Sequence, residues 1–414
     1  MKIRTPRPIA AIEVNYDESR VEPFVLPPLL RCADGTVVGT AGDFLLHRRP
    51  EILDFYTREY YGKVPPRPER FAVETLMVKP DALDGTAVRK EIRLTFSGGG
   101  RAHSWIMLVY LPQGRGPFPA FCGLNFKGNH ATTDEADVIP TGNGLDGVVQ
   151  FPDARGEKRE RWQFVEAVRR GYAVATACYH DVFPDFANAP GSWERSVYGA
   201  LFPDRGEAEL HREYSAIGAW AWGLSRMLDA LECDPAVDVG HAVVVGHSRL
   251  GKSALWAGAT DERFGLVISN CSGHGGAAII RRFFGETNEL LRARFPHWFV
   301  SGFVGYLDTG TDFRAGFDQH FLLSLIAPRR LCVGSATEDL WADPKGEFLA
   351  AAAASEAYRL FGSPGLEITE MPPPDAPVSG DISYHLRTGP HDITRADWEV
   401  YWNAADRLQS EKSR

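Results

Sequence analysis

The sequence is poor in cysteine, and its few cysteines are scattered. Only six occur in 414 residues, and none forms a Cys-x-x-Cys pair. They are Cys32, Cys122, Cys178, Cys233, Cys271 and Cys332. Several lie in apolar runs, where a buried free thiol behaves as a small hydrophobic group. We therefore expect neither a disulfide framework nor a metal site.

Long apolar runs and charge runs are also missing. No stretch approaches the roughly 20 apolar residues that span a bilayer, and the segment Met1–Tyr16 does not resemble a signal peptide. The net charge of −9 comes from 54 acidic and 45 basic residues without a long run of either sign. This balance favours a neutral or small-molecule substrate. We expect no nucleic-acid or membrane partner, and a monomer that is either cytosolic or lacks its export segment.

Apolar runs of strand length alternate with helical patterns along most of the chain. The predicted strands are His103–Leu111, Phe118–Leu124, Gly171–Cys178, His241–Val245, Phe264–Ser269, Arg330–Gly334 and Leu366–Met371. The predicted helices are Ala216–Leu231, Lys252–Ala259, Gly346–Phe361 and Thr394–Leu408. This alternation predicts an α/β fold, a three-layer sandwich with a mostly parallel central sheet.

The N-terminal part of the chain differs from the rest. Residues 1–95 are rich in proline and charge, with one helical stretch near Pro50–Tyr61. We expect them to form an extension packed on a catalytic domain of residues 96–414. Within that domain, Lys127–Trp162 has little periodicity and is predicted to be a long loop over the active face.

A serine lies between the predicted strand His241–Val245 and the helix that follows. The turn Gly246–Gly251 has the spacing Gly-x-Ser-x-x-Gly, with Leu250 where a nucleophile elbow normally has its second glycine. A strand before the serine and a helix after it are the context in which a strained turn exposes a nucleophilic hydroxyl. We predict an α/β-hydrolase fold with Ser248 as nucleophile.

A serine nucleophile needs a histidine base and a carboxylate, in the chain order Ser, acid, His. His391, in a Gly-Pro-His loop before the closing helix, is preferred as base over His385. For the acid, the loop after strand Arg330–Gly334 offers Asp339 as first choice and Glu338 as the alternative. Asp343, which directly precedes a proline, ranks third because it is better placed to cap the next helix.

Two cations follow the nucleophile within one helical turn. The helix dipole disfavours Arg249 and Lys252 at a helix N-terminus, so we expect each to have a compensating interaction. An anionic or oxyanion-bearing substrate is one reason, and pairing with a nearby carboxylate is the other. The oxyanion hole itself would use the backbone N–H of Arg249 and one near Asn125.

These residues resemble the glucuronoyl esterases of carbohydrate esterase family 15. The matching segments are Gly246–Lys252, Ala257–Arg263, Ser272–Ala277, Phe317–His320, Ile326–Arg329, Trp341 and Gly389–His391. The resemblance implies hydrolysis of the ester between 4-O-methyl-glucuronic acid on xylan and an alcohol of lignin, without metal or cofactor. It implies a secreted or periplasmic location. It also implies an oxyanion role for the Arg249 side chain, sugar binding by Lys252, Trp341 as a wall of the sugar site and His391 as base.

The chain departs from the fungal members of this family at several positions. Cys271 stands where they carry the catalytic glutamate, and a thiol cannot orient a histidine, so the acid is expected at Asp339, as in bacterial members. His247 replaces a disulfide-bonded cysteine. The two sugar-binding positions fall on Thr287 and Phe295, and Glu286 is the expected substitute.

Three hypotheses follow. A glucuronoyl esterase should hydrolyse alkyl or benzyl glucuronate esters. An acetylxylan esterase or other carbohydrate acetyl esterase is the alternative, and it has no need of Lys252. A catalytically silent binding protein is the third, and a fluorophosphonate probe would distinguish it because an inert fold should not react.

Overall fold

The computed structural model describes residues 12–98, 100–187, 189–303 and 316–412. Most of the Met1–Tyr16 segment therefore lies outside the described residues. The strands are β1 Arg70–Asp81, β2 Ala87–Gly98, β3 Arg101–Pro112, β4 Phe118–Asn125, β5 Ala173–Cys178, β6 Val237–His247, β7 Leu266–Asn270, β8 Arg330–Ala336 and β9 Ile382–Arg387. They form one sheet in the order β1-β2-β3-β5-β4-β6-β7-β8-β9.

Helices cover both faces of this sheet. They are α1 Ala41–Asp43, α2 Arg49–Tyr56, α3 Ala82–Gly85, α4 Phe164–Arg169, α5 Tyr179–Val182, α6 Val197–Leu201, α7 Glu207–Glu213, α8 Ala216–Leu231, α9 Arg249–Thr260, α10 Asn288–Arg294, α11 Gln319–Ser324, α12 Pro344–Leu360 and α13 Arg395–Lys412. Helices α8, α9, α11 and α12 pack into one hydrophobic core. Helices α4 and α13 pack into a second core on the other face.

The sheet is parallel from β5 through β4 to β9, whereas β1, β2, β3 and β5 pair antiparallel. Parallel strands leave their carboxyl ends along one edge, where loops can gather catalytic side chains. The predicted α/β-hydrolase fold, with its mostly parallel sheet between helical layers, is confirmed. Within the described residues, every helix is too short or too polar to cross a bilayer.

Most predicted elements are present, but the prediction of the last strand was wrong. Leu366–Met371 has no regular structure, and the edge strand is instead β9. β9 was not recognised because Ser383, His385 and Arg387 alternate with its apolar residues and do not indicate a buried strand. In the structure all six residues of β9 are buried. Asp397 pairs with both His385 and Arg387. Buried partners thus make polar side chains acceptable in this edge strand, whose residues are all buried.

The N-terminal part contains two long strands that were not predicted. β1 and β2 extend the central sheet through β3, so residues 70–98 share the sheet with the strands that carry the site. The helical stretch expected near Pro50–Tyr61 is present as α2 followed by a π-helical turn over Thr57–Tyr61. The domain boundary near residue 95 stays a prediction.

Candidate active site

The turn between β6 and α9 holds Ser248 in a backbone conformation that L-residues rarely adopt. Its φ is 59° and its ψ is −129°. A Cβ on Gly246 would lie 1.9 Å from the carbonyl oxygen of Leu250, and one on Gly251 would lie 3.0 Å from the Ser272 Cβ. Gly246 is therefore required by close packing, and Gly251 has little room for a side chain. The sequence-predicted strand, turn and helix around Ser248 are all present, and strained turns of this kind expose a nucleophile.

His391 and Asp339 form a hydrogen-bonded pair. The Nδ1 of His391 lies 2.5 Å from an Oδ of Asp339. Asp339 is buried and follows β8, while the His391 side chain is 39% exposed in the loop after β9. The N–H of Thr337 donates to the carbonyl oxygen of Arg387 at the end of β9, and the N–H of Glu338 donates to that of Gly389 in the loop that carries His391. These bonds hold the two segments together. Glu338, the alternative acid, is exposed.

The other candidates lie elsewhere. His385 lies within β9, not after the last strand as predicted from the sequence, and its Nε2 is 2.8 Å from Asp397. Asp343 caps α12, as expected, by accepting from the N–H of Gly346. It also pairs with Arg282. Both groups are therefore engaged with structural partners other than His391.

Lys252, Glu286 and Trp341, which were predicted to bind substrate, form one cluster. The Lys252 ammonium donates to Glu286 Oε2 at 2.8 Å. It also donates to the carbonyl oxygen of Ser272 at 2.6 Å. The Trp341 indole donates to the other Glu286 oxygen at 3.2 Å. Lys252 and Glu286 are both buried, so the cluster is a preformed set of charged groups one helical turn from the nucleophile.

Arg249 is held by a buried carboxylate that sequence reasoning missed. Asp185 accepts from the Arg249 guanidinium and from Tyr179 at 2.9 Å. Its other oxygen lies 2.7 Å from the His297 ring and accepts from the Trp298 indole at 2.7 Å. Burial would raise the pKa of Asp185, but the His297 hydrogen bond and the Arg249 charge outweigh it and hold that pKa well below its usual range. The charge of Arg249 signalled that some carboxylate was needed, yet nothing in the sequence says which one.

The Arg249 guanidinium also lies over an aromatic surface, with its Cζ 4.6 Å from the Trp298 ring centroid. Phe126, one residue after the predicted Asn125 region, lies 5.9 Å below the same group. A guanidinium over aromatic rings gains cation–π attraction in addition to its ion pair. Arg249 therefore presents a pre-oriented cation beside Ser248.

Cys271 lies next to the His391–Asp339 pair. Its Sγ, an Asp339 oxygen and a His391 ring nitrogen lie within 4.8 Å of one another, a donor set that could also hold a metal ion. The Cys271 φ is 47°, and the turn after it is held by Glu347, which accepts from the N–H groups of Ser272 and Gly273. Burial raises the pKa of Glu347 to about 8.

Comparison with known proteins gives consistent matches. The family model described as glucuronyl esterase, fungi, matches residues 208–362. Carbohydrate esterase MZ0003, from an unknown prokaryotic organism, is 41% identical over 409 residues, which cover 95% of this chain and 91% of that protein.

Two solved structures are similar over nearly the whole chain. A glucuronoyl esterase from Solibacter usitatus is 41% identical with a TM-score of 0.88, covering 95% of this chain and 100% of that one. A promiscuous CE15 esterase from a marine bacterial metagenome is 39% identical with a TM-score of 0.86, covering 96% and 100%. The similarity therefore includes the N-terminal part that the family model leaves out.

Proposed function

The chain belongs to carbohydrate esterase family 15, the glucuronoyl esterases, and we propose that it hydrolyses esters of (4-O-methyl-)glucuronic acid. Such esters join lignin alcohols to glucuronoxylan. The observation that carries this substrate class is the buried Lys252–Glu286–Trp341 cluster one turn from Ser248. The third N–H of the Lys252 ammonium is a donor, Glu286 keeps unused acceptor lone pairs, and the Trp341 ring gives an apolar face, a combination that suits a sugar.

The reaction assigns a role to each group around Ser248. The Ser248 hydroxyl attacks the ester carbonyl while His391 takes its proton, and Asp339 fixes the His391 tautomer and stabilises the imidazolium. The oxyanion that forms is stabilised by the guanidinium and the backbone N–H of Arg249. His391 then protonates the departing alcohol. Water, activated by the same histidine, hydrolyses the glucuronoyl-serine ester and restores Ser248.

We predict that the double variant Lys252→Met with Glu286→Gln loses activity on glucuronate esters but keeps most of any activity on carbohydrate acetyl esters. The double change removes both charges, because losing one alone would leave the other buried and unpaired. We expect kcat/KM for benzyl glucuronate to fall by about 10- to 100-fold, the cost of about one lost charge-assisted hydrogen bond, because the glutamine still offers an acceptor. The reference substrate is an acetylated xylo-oligosaccharide, and its value should change much less. Lys63→Ala, in an exposed ion pair, is the control variant.

An acetyl esterase is the second candidate, since one relative is described as promiscuous. Acetyl-ester turnover by the unmodified protein, together with no turnover of any glucuronate ester, would replace the proposal with this one.

The expected monomeric state stays a prediction, which sedimentation velocity would check.

We predict that Asp185 acts through Arg249. Asp185→Asn removes the charge that orients the guanidinium, and we expect kcat to fall by about 10- to 100-fold with a smaller change in KM. This is less than the loss of an oxyanion donor, because Arg249 itself is still present. In the Arg249→Ala background the same change should have little further effect, because coupled residues are not additive. Additive losses in the double-mutant cycle would show instead that Asp185 only supports the local fold.

A further inference from the structure

The segment around Asn15–Arg20 is anchored beside the candidate sugar site. The carbonyl oxygen of Asn15 accepts from the N–H of Gly285 at 2.8 Å. Glu18 pairs with Arg282 and, at 3.1 Å, with Lys345. Arg282 is itself buried. These contacts fix the position of the intervening residue, Tyr16.

Gly285 connects this segment to the loop that carries Trp341. Its φ is 61°, and a Cβ placed on it would lie 2.3 Å from the carbonyl oxygen of Leu340. The Asn15 backbone, Gly285 and the Leu340–Trp341 backbone are therefore stacked in direct contact. The residue after Gly285 is Glu286, whose N–H donates to the Trp341 carbonyl at 2.7 Å. Tyr16 thus lies at the rim of the Lys252–Glu286–Trp341 cluster.

Tyr16 and the residues around Gly285 and Trp341 include exposed apolar and cationic groups. Its ring packs edge-on against Phe284, with centroids 6.3 Å apart, and the residue is 49% exposed. Leu340 is 43% exposed. Arg294 is also exposed, and its Cζ lies 5.1 Å from the Trp341 ring centroid. The pKa of Tyr16 is raised, chiefly by its partial burial.

We propose that Tyr16, Leu340, Trp341 and Arg294 form a second carbohydrate subsite, for the sugar unit to which the glucuronic acid is glycosidically attached. This inference rests on the proposed function. Aromatic rings pack on the C–H faces of sugars, and the guanidinium of Arg294 offers several N–H donors to their hydroxyl groups.

The position of the subsite favours the carbohydrate side of the substrate over the alcohol side. From Ser248 the contacts run through Lys252, Glu286 and Trp341 to Arg294. The alcohol must instead leave near His391, which protonates it. Tyr16 is connected to the site through the Asn15–Gly285 and Trp341–Glu286 hydrogen bonds, so we place a group bound there beyond the uronic acid ring, where the glycosidic bond continues the polymer.

The test uses two methyl esters with the same acyl and leaving groups. One is methyl 4-O-methyl-glucuronate, and the other is the same ester carried on xylotriose. We expect Tyr16→Ala to lower the kcat/KM ratio of the oligosaccharide ester to the monosaccharide ester by about 3- to 10-fold, mainly through KM, the effect of one lost aromatic contact. Tyr16→Phe keeps the ring and should keep the ratio. Ser19→Ala, in the same segment, is the matched control.

Arg294→Ala gives a second and independent measurement, and it should lower the same ratio. An unchanged ratio in both variants, or an equal fall in Tyr16→Ala and Tyr16→Phe, overturns the subsite. The subsite is also overturned if Tyr16→Ala changes the ratio of kcat/KM between the benzyl and methyl esters of the monosaccharide, because Tyr16 would then contact the alcohol. An unmodified protein that hydrolyses neither ester overturns the proposed function itself, which is a distinguishable result.

Discussion

Replacing Ser248 with alanine is expected to lower kcat/KM for benzyl glucuronate by about five orders of magnitude. The backbone strain at Ser248 supports its role as nucleophile, because a φ of 59° is costly for a residue with a Cβ and such strain is concentrated at functional sites. Without the hydroxyl no acyl-enzyme can form, and only the oxyanion groups and substrate binding remain to assist water. The residual rate is measured with a chromogenic ester at high enzyme concentration.

Labelling by a fluorophosphonate probe tests the same prediction without a substrate. The unmodified protein should be labelled and Ser248→Ala should not. Ser253→Ala is the matched control, because this serine lies one turn along α9 and its hydroxyl donates to the Arg249 carbonyl at 3.0 Å. Labelling that persists in Ser248→Ala, or a protein that never reacts, would contradict the assigned nucleophile.

Asp339→Asn is expected to have the second largest effect, a loss in kcat of about 10³- to 10⁴-fold. The amide keeps the shape of the side chain but removes the negative charge, so it no longer favours the productive His391 tautomer or stabilises the imidazolium. Steady-state kinetics should show this loss mainly in kcat. The neighbouring carboxylate gives the control, since Glu338 is exposed and Glu338→Gln should change kcat by no more than about twofold.

Cys271 offers a rescue of this variant. Its thiol lies close to both His391 and Asp339, at the position to which the sequence resemblance assigns the glutamate of the fungal members. We expect Cys271→Glu in the Asp339→Asn background to recover at least about tenfold in kcat, because a carboxylate on that side can again accept from the imidazole. Cys271→Gln is the uncharged control. Equal recovery with glutamine, or a large loss in Glu338→Gln, would place the acid elsewhere.

Features that depend on neighbours along the chain could be predicted from the sequence. The apolar run of β6, the glycines around Ser248 and the helix of α9 are local, and each agrees with the structure. The helix Ala216–Leu231 was predicted with the bounds it has as α8. Short-range sterics and hydrophobic periodicity suffice for such elements.

Features that depend on distant buried partners could not be predicted in the same way. β9 was missed because its polar residues are paired with Asp397 and other groups from α13. Asp185 was missed because Arg249 lies 64 residues further along the chain. Tyr16 was missed because its position follows from contacts with residues near 285.

The sequence by itself therefore determined a serine at a strained turn, the two cations after it and a short set of carboxylate and histidine candidates. Only the tertiary structure decided that Asp339 meets His391, that Glu286 neutralises Lys252 and that Asp185 holds Arg249. The physical reason is that a charge near the interior requires a partner, and the fold decides which groups meet there.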